Sequence, residues 1–253
     1  MAQKKIALVT GGSRGLGRDM ALSLCRKGID VILTYYSNKE EGEKVVKELE
    51  SMGGKAALLQ VNVGDIASLD GFVQQVKETL QTNWSTDKFD FLINNGGMGA
   101  TIPFMQVTEA DFDNFTNVHF KGVYFLTQKS LPVMNDGGGI VFVSSGSTRF
   151  VVPGYSAYAS NKGAVEVLSR YIAKELGNRG IRSNVIAPGA TETDFNNAAI
   201  RTDPQRKAFL ASQTALGRVG QADDIGSVVA FLCTDDAKWV TGQRIEVSGG
   251  VNL

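Results

Sequence analysis

Tyr158 and Lys162 stand four residues apart in Tyr158-Ala159-Ser160-Asn161-Lys162, a spacing that puts a phenol and an ammonium on one face of a helix. A phenol with its ordinary pKa of about 10 is a poor proton carrier at neutral pH, and a nearby cation moves it toward the working range. The same spacing also arises when an aromatic ring simply packs on a lysine stem. The company of this pair changes the reading. Ser144 and Ser145 end the apolar run Ile140-Val141-Phe142-Val143, at the kind of strand terminus where α/β proteins place ligands. A hydroxyl, a phenol and an ammonium gathered there suit proton exchange with a substrate oxygen.

A second constellation, Thr10-Gly11-Gly12-Ser13-Arg14-Gly15-Leu16-Gly17, follows directly on Ile6-Ala7-Leu8-Val9. Glycines at 11, 15 and 17 permit a tight turn and let the backbone approach a diphosphate at a helix N-terminus, where free N–H groups and the helix dipole favour negative charge. The spacing is G-x-x-x-G-x-G rather than G-x-G-x-x-G, and with a strand before it and a helix after it a dinucleotide is the expected ligand. NAD sites usually set an acid against the ribose 2′-hydroxyl after the second strand. Here that segment reads Leu33-Thr34-Tyr35-Tyr36-Ser37-Asn38-Lys39. Arg14 in the turn, with Ser37, Asn38 and Lys39, can donate to a 2′-phosphate, so NADP(H) is expected in preference to NAD(H). The alternative is that Arg14 and Lys39 are solvated charges only.

These residues need a frame, and the hydrophobic pattern supplies one. Apolar runs at 6–9, 31–33, 56–59, 89–93, 140–143, 181–186 and 244–247 read as strands. Helical periodicity lies between them, over the stretch containing Met20, Leu22 and Leu24, then 40–49, 69–80, 110–134 and 157–176. Strands alternating with helix-length segments predict an α/β fold: a single Rossmann-type domain over 1–253, with a parallel sheet and helices on both faces. Residues 191–216 break the rhythm. They are polar, hold Pro204 and are long for a strand-to-helix connection, as a lid over a binding site would be.

Composition narrows the function classes. Lysine plus arginine equals aspartate plus glutamate at 26 each, so no overall positive field recruits nucleic acid or membrane. Cys25 and Cys233 lie far apart in apolar surroundings with no metal-ligand spacing, and read as small buried hydrophobes, with no metal site. The amino terminus leads into too few apolar residues for a signal sequence, and no run approaches the ~20 residues of a membrane span. A cytoplasmic chain is expected.

Taken together, Thr10-Gly11-x-x-x-Gly15-x-Gly17, Asn94-Asn95-Gly96-Gly97, Ser145, the Tyr158/Lys162 pair, Pro188-Gly189 and the ending from Val240-Thr241-Gly242-Gln243 to Gly249-Gly250 resemble the short-chain dehydrogenase/reductase family over essentially the whole chain. The resemblance implies hydride transfer between nicotinamide and a small-molecule carbonyl or secondary alcohol. It implies that Tyr158 exchanges the proton, Ser145 orients the substrate oxygen, and Lys162 binds the nicotinamide ribose and lowers the tyrosine pKa. It further implies that Asn62 and Val63 meet the adenine, with Asn standing where the family more often has Asp. Asn95 and Gly96 would line the ribose edge, with Asn94 structural. Pro188, Gly189 and Thr193 would hold the nicotinamide end, and two long helices with the C-terminal segment would build a homotetramer. Leu126, Leu131 and Val133 mark one apolar face of those helices, and Val165, Leu168 and Ile172 the other, although such faces also suit plain core helices.

One position departs from the family. Counting from Asn94, or back from Gly122-Val123-Tyr124-Phe125, the place of the family's fourth catalytic residue, an Asn that holds a relay water, falls on His119, the only histidine. Asn117, two residues earlier, would point from another helix face. An imidazole titrating near neutrality could hold the water or pass the proton itself; the plainer reading is a space-filling helix residue. Among substrates, reduction of 3-oxoacyl groups on acyl carrier protein is an alternative to a free ketone. An acidic carrier needs basic docking residues. Arg179 stands at one expected place, while Asn135-Asp136-Gly137-Gly138 at the other offers an acid and no base. A non-catalytic NADP(H)-sensing protein is a further alternative, but sensors related to this family usually lack the tyrosine or lysine retained here.

Overall fold

In a computed structural model of the chain, which describes residues 4–253, the apolar runs become Ile6–Val9 (β1), Asp30–Tyr35 (β2), Ala56–Gln60 (β3), Phe89–Asn94 (β4), Met134–Val143 (β5), Arg182–Pro188 (β6) and Arg244–Val247 (β7). The start of the amino-terminal lead, residues 1–3, lies outside the described residues. The strands pair in parallel in the order β3-β2-β1-β4-β5-β6-β7. The order reverses between β1 and β4, and a crevice opens at such a reversal beyond the strands' carboxyl ends. β1 buries all four of its residues, because helices cover both faces of the sheet.

The helices are Gly15–Arg26 (α1), Lys39–Ser51 (α2), Leu69–Trp84 (α3), Glu109–Thr116 (α4), Gly122–Ser130 (α5), Ser156–Glu175 (α6), Phe195–Thr202 (α7), Pro204–Ser212 (α8) and Ala222–Leu232 (α9). Alternate strand residues feed two cores. Ala7, Val9, Val31 and Leu33 pack with Met20, Leu24, Ile225 and Val229 of α1 and α9 on one side. Leu8, Ile32, Leu92 and Phe142 pack with Phe72, Val76, Leu126 and Val165 of α3, α5 and α6 on the other.

Three expectations change. The helix expected over 110–134 is two α-helices joined by a wider π-turn at Asn117–Lys121, and it stops at Ser130 because Pro132 opens a short 3-10 turn. The following strand begins at Met134, not Ile140. Met134 pairs with Phe89 before a register shift, and the glycines between read as a loop in sequence. The apolar faces assigned to association are spent inside the chain: Leu126, Val133 and Val165 are buried, and Leu131, Leu168 and Ile172 pack against the same core. Cys233 is buried as expected and Cys25 only partly so, both as free thiols. No helix among the described residues is long and apolar enough to cross a membrane.

Candidate active site

The chain turns out of β1 into α1 through the glycine segment, and out of β4 into 94–97, on either side of the crevice. Thr10 Oγ1 accepts from the backbone N–H of Asn95 at 2.9 Å and of Gly96 at 2.8 Å, and the Asn95 side chain donates to Thr10 O at 2.8 Å and Gly11 O at 3.2 Å. The two segments are therefore one rigid unit, and the Asn95 amide is spent on building it. Gly11 has φ +64°, and a Cβ on Gly17 would run into Gly11 O and the Asn95 amide, so positions 11 and 17 have room for glycine alone. The first turn of α1 holds no acid, and its N-cap residue Arg14 makes no capping bond, which leaves the amide end open. A glycine cradle at an uncapped helix start fits a diphosphate. Thr193, buried after β6, comes within 3.7 Å of where a Gly15 Cβ would stand, closing the cradle from the opposite side. Ser13 is buried in the turn, and Leu16 packs on the core beneath it.

Residues expected at the cofactor's adenosine end fall at the edge after β2 and β3. Arg14 and Ser37 are exposed. Asn38 caps α2, its oxygen accepting from Glu41 N at 3.3 Å, so only its NH2 group remains for an anion. Lys39 pairs with Glu43 at 3.4 Å. Asn62 turns its oxygen back on Gly64 N at 3.0 Å, beside Val63. Pro188 ends β6, and Gly189 packs so closely on Ser248 that a Cβ there would lie 2.8 Å from it.

β5 and α6 bring Ser145, Tyr158 and Lys162 together. Tyr158 is buried and hydrogen-bonded to Ser145, whose Oγ also accepts from Ser147 N at 3.2 Å. Burial drives the Tyr158 phenol well above its ordinary value, against the opposing pull of the Ser145 bond. Lys162 donates to Val143 O at 2.7 Å and lies 5.7 Å from the Tyr158 ring centre. Burial brings its ammonium down from 10.5 to about 8, so holding that charge costs about 3 kcal/mol. In this arrangement the Lys162 ammonium is hydrogen-bonded to the strand carbonyl. A protonated phenol is a proton donor, the form that reduction of a carbonyl requires.

His119 reaches the same cluster from the π-turn, a distortion common at functional sites. It is 1% exposed, its ring meets Tyr158 edge-on at 5.1 Å between centres, and its Nε2 lies 2.8 Å from Met98 O. With that carbonyl as acceptor, Nε2 carries the hydrogen, and Nδ1 is left buried without a partner. Burial first, then the charge of Lys162, hold the imidazole well below its ordinary value. The shift favours the neutral ring, whose unpartnered Nδ1 is an acceptor. A Cβ at Gly97 would stand 2.8 Å from the ring, so glycine there makes room for histidine here.

Sequence reasoning missed the apolar wall of this site. Phe115 on α4 and Phe195 on α7 place their rings 6.4 Å and 6.0 Å from that of Tyr158, and Tyr155 stands at 5.8 Å. Met98, Ala100, Ile102 and Val107 pack around the same cluster. Only the absence of any charged residue from 98–107 and 150–157 signals this wall in the sequence.

A family model described as enoyl-(acyl carrier protein) reductase matches residues 11–252. An uncharacterised oxidoreductase of Methylorubrum extorquens is 37% identical over 247 residues, 98% of this chain and 97% of that protein. A 3-oxoacyl-[acyl-carrier-protein] reductase of Staphylococcus aureus is 35% identical over 255 residues, 100% of both. Among solved structures, the angucycline C-6 ketoreductase LanV with bound NADP superposes with TM-score 0.93 at 35% identity, covering 98% of this chain and 95% of that one.

Proposed function

The chain belongs to the short-chain dehydrogenase/reductase family, and on that premise we propose that it reduces a free, uncharged ketone with NADPH in preference to NADH. The protein is an oxidoreductase that uses NADP, and the nicotinamide supplies or accepts the hydride. Tyr158 gives its proton to the substrate oxygen, Ser145 hydrogen-bonds that oxygen, and Lys162 turns from Val143 O to the nicotinamide ribose. Gly11, Ser13, Gly15 and Gly17 hold the diphosphate, and Arg14 the 2′-phosphate. Pro188, Gly189 and Thr193 hold the nicotinamide end, and Asn62 and Val63 the adenine. His119 accepts a relay water at Nδ1. Residues 191–216, with α7 and α8, form the lid of a single domain. The observation that carries the reading is the cluster of half-buried Ser145 with buried Tyr158 and Lys162 opposite an uncapped glycine turn.

The choice of a free ketone rests on charge. Segments 98–107 and 150–157, which supply the apolar wall beside Tyr158, hold neither base nor acid. Arg179, the one base at an expected carrier-docking place, is tied to Asp136 at 2.7 Å, Leu131 O at 3.1 Å and Met134 O at 2.8 Å. LanV, a ketoreductase, favours the same choice. Full-length similarity to the Staphylococcus reductase favours the second reading, 3-oxoacyl groups on a carrier protein. A panel of free ketones and carrier-bound 3-oxoacyl groups, followed by nicotinamide absorbance, separates them. Higher kcat/KM on free ketones is expected, and a preference for the carrier would reverse the assignment. Exposed Val167 and Tyr171 on α6, Tyr124 on α5 and Trp239 before β7 support a homotetramer, and the free thiols suit the cytoplasm.

A further inference from the structure

Glu166 lies on α6 one turn beyond Lys162, and the proton transfer proposed above gives it no task. Its side chain is only 14% exposed, yet its Oε1 accepts from three donors: Ser144 Oγ at 2.6 Å, Thr148 Oγ1 at 2.7 Å and Arg244 Nε at 2.9 Å. The donors come from the end of β5, the turn after it, and β7. Ser145 sits between the first two; its carbonyl oxygen lies 2.9 Å from Thr148 Oγ1, competing with Glu166 for that hydroxyl's one hydrogen, and accepts from Arg244 Nη2 at 3.4 Å. Arg244 in turn donates to Glu246 at 2.9 Å.

Stability alone does not explain this arrangement. A largely buried ion pair is often no better for stability than well-packed apolar residues, because both charges lose their water. Its value lies in direction: one oxygen fixes three elements at hydrogen-bond lengths. We infer that Glu166, with Arg244 as its partner, is a positioning residue for the reaction, fixing the strand end that carries Ser145 against the helix that carries Tyr158 and Lys162. Ser145 cannot shift along its strand without breaking the bonds at Ser144 and Thr148, and α6 cannot rotate without moving Oε1 away from both hydroxyls. The inference rests on the catalytic placement above.

Glu166→Gln keeps an oxygen acceptor, Glu166→Ala removes it, and Thr148→Val removes one of its donors without changing shape. A displacement near 1 Å at a reacting group costs on the order of 10²-fold in rate. In Glu166→Ala, kcat is therefore expected to fall about 10- to 100-fold, while the dissociation constant for NADPH stays within about twofold. Glu166→Gln should recover to within about threefold of wild type, and Thr148→Val should fall between the two. Turnover within twofold of wild type in Glu166→Ala, or a loss matching only the unfolded fraction given by NADPH titration, overturns the inference. If Glu166→Ala does not fold, wild-type turnover in Thr148→Val overturns it instead. Tyr158→Phe measured alongside separates the two readings: wild-type turnover there removes the catalytic placement itself, whatever Glu166 does.

Discussion

Burial disfavours the imidazolium form of His119, and this has a consequence for stability. The folded chain holds the ring well below 6.5, whereas the unfolded chain protonates it near that value. Below about pH 6.5 the unfolded state therefore binds a proton that the folded state refuses, so stability present above that pH is lost on acidification. His119→Asn should lose less stability than wild type in thermal melts run from pH 7 down to 5, and parallel losses would contradict this. For activity, Asn should retain most turnover, and Ala should lose about tenfold, as a missing relay acceptor allows. The profile between pH 6.5 and 8 should keep its shape in both, and a limb that disappears would mean that His119 titrates there. At the other end of the cofactor, Arg14→Ala should raise KM for NADPH over that for NADH by roughly ten- to a hundredfold, the worth of a charge-assisted phosphate contact. Equal effects on both cofactors would leave Arg14 a solvated charge.

Elements differ in how well the chain's own pattern declares them. β1, α1 and the glycine turn were legible because an all-apolar run, three glycines and an amphipathic stretch agree locally. Tyr158 and Lys162 were legible because four residues is one helical turn. α9 was not read from the pattern, since Gly226, Ser227 and two valines blur its stripe. Its signal was Gln221 with Asp224, whose carboxylate accepts from Gln221 N at 2.8 Å to start the helix. The π-turn at Asn117–Lys121, the reach of Phe195 and the role of Glu166 depend on tertiary contacts that no local window contains. α9 packs directly on α1, with Gly226 against Asp19 so tightly that a Cβ would overlap the carboxylate. Gly226→Ala should therefore lower stability by about 1–3 kcal/mol through overpacking, although alanine favours helices. An unchanged melting temperature would show that α1 and α9 can separate at little cost.

At the scale of the whole molecule, each crevice wall is built by a different part of the sheet. β1 and β4 supply the rigid glycine unit, β5 and α6 the Ser145, Tyr158 and Lys162 cluster, and the segment after β6 the closing side. Exposed apolar side chains on α5, α6 and before β7 mark where copies of the chain would meet, and sedimentation should find a tetramer; a monomer at micromolar concentration would remove that assignment. Burial favours the protonated form of Tyr158, and the proposed proton transfer makes Tyr158 the group on which the account depends. Phenylalanine at this position keeps the ring packing against Phe115, Tyr155 and Phe195 and removes only the hydroxyl. NADPH oxidation by Tyr158→Phe with a ketone substrate, beside an NADPH binding titration, is the direct test. The expected result is a kcat lower by about 10²–10⁴-fold with cofactor binding retained; turnover equal to wild type would contradict the account.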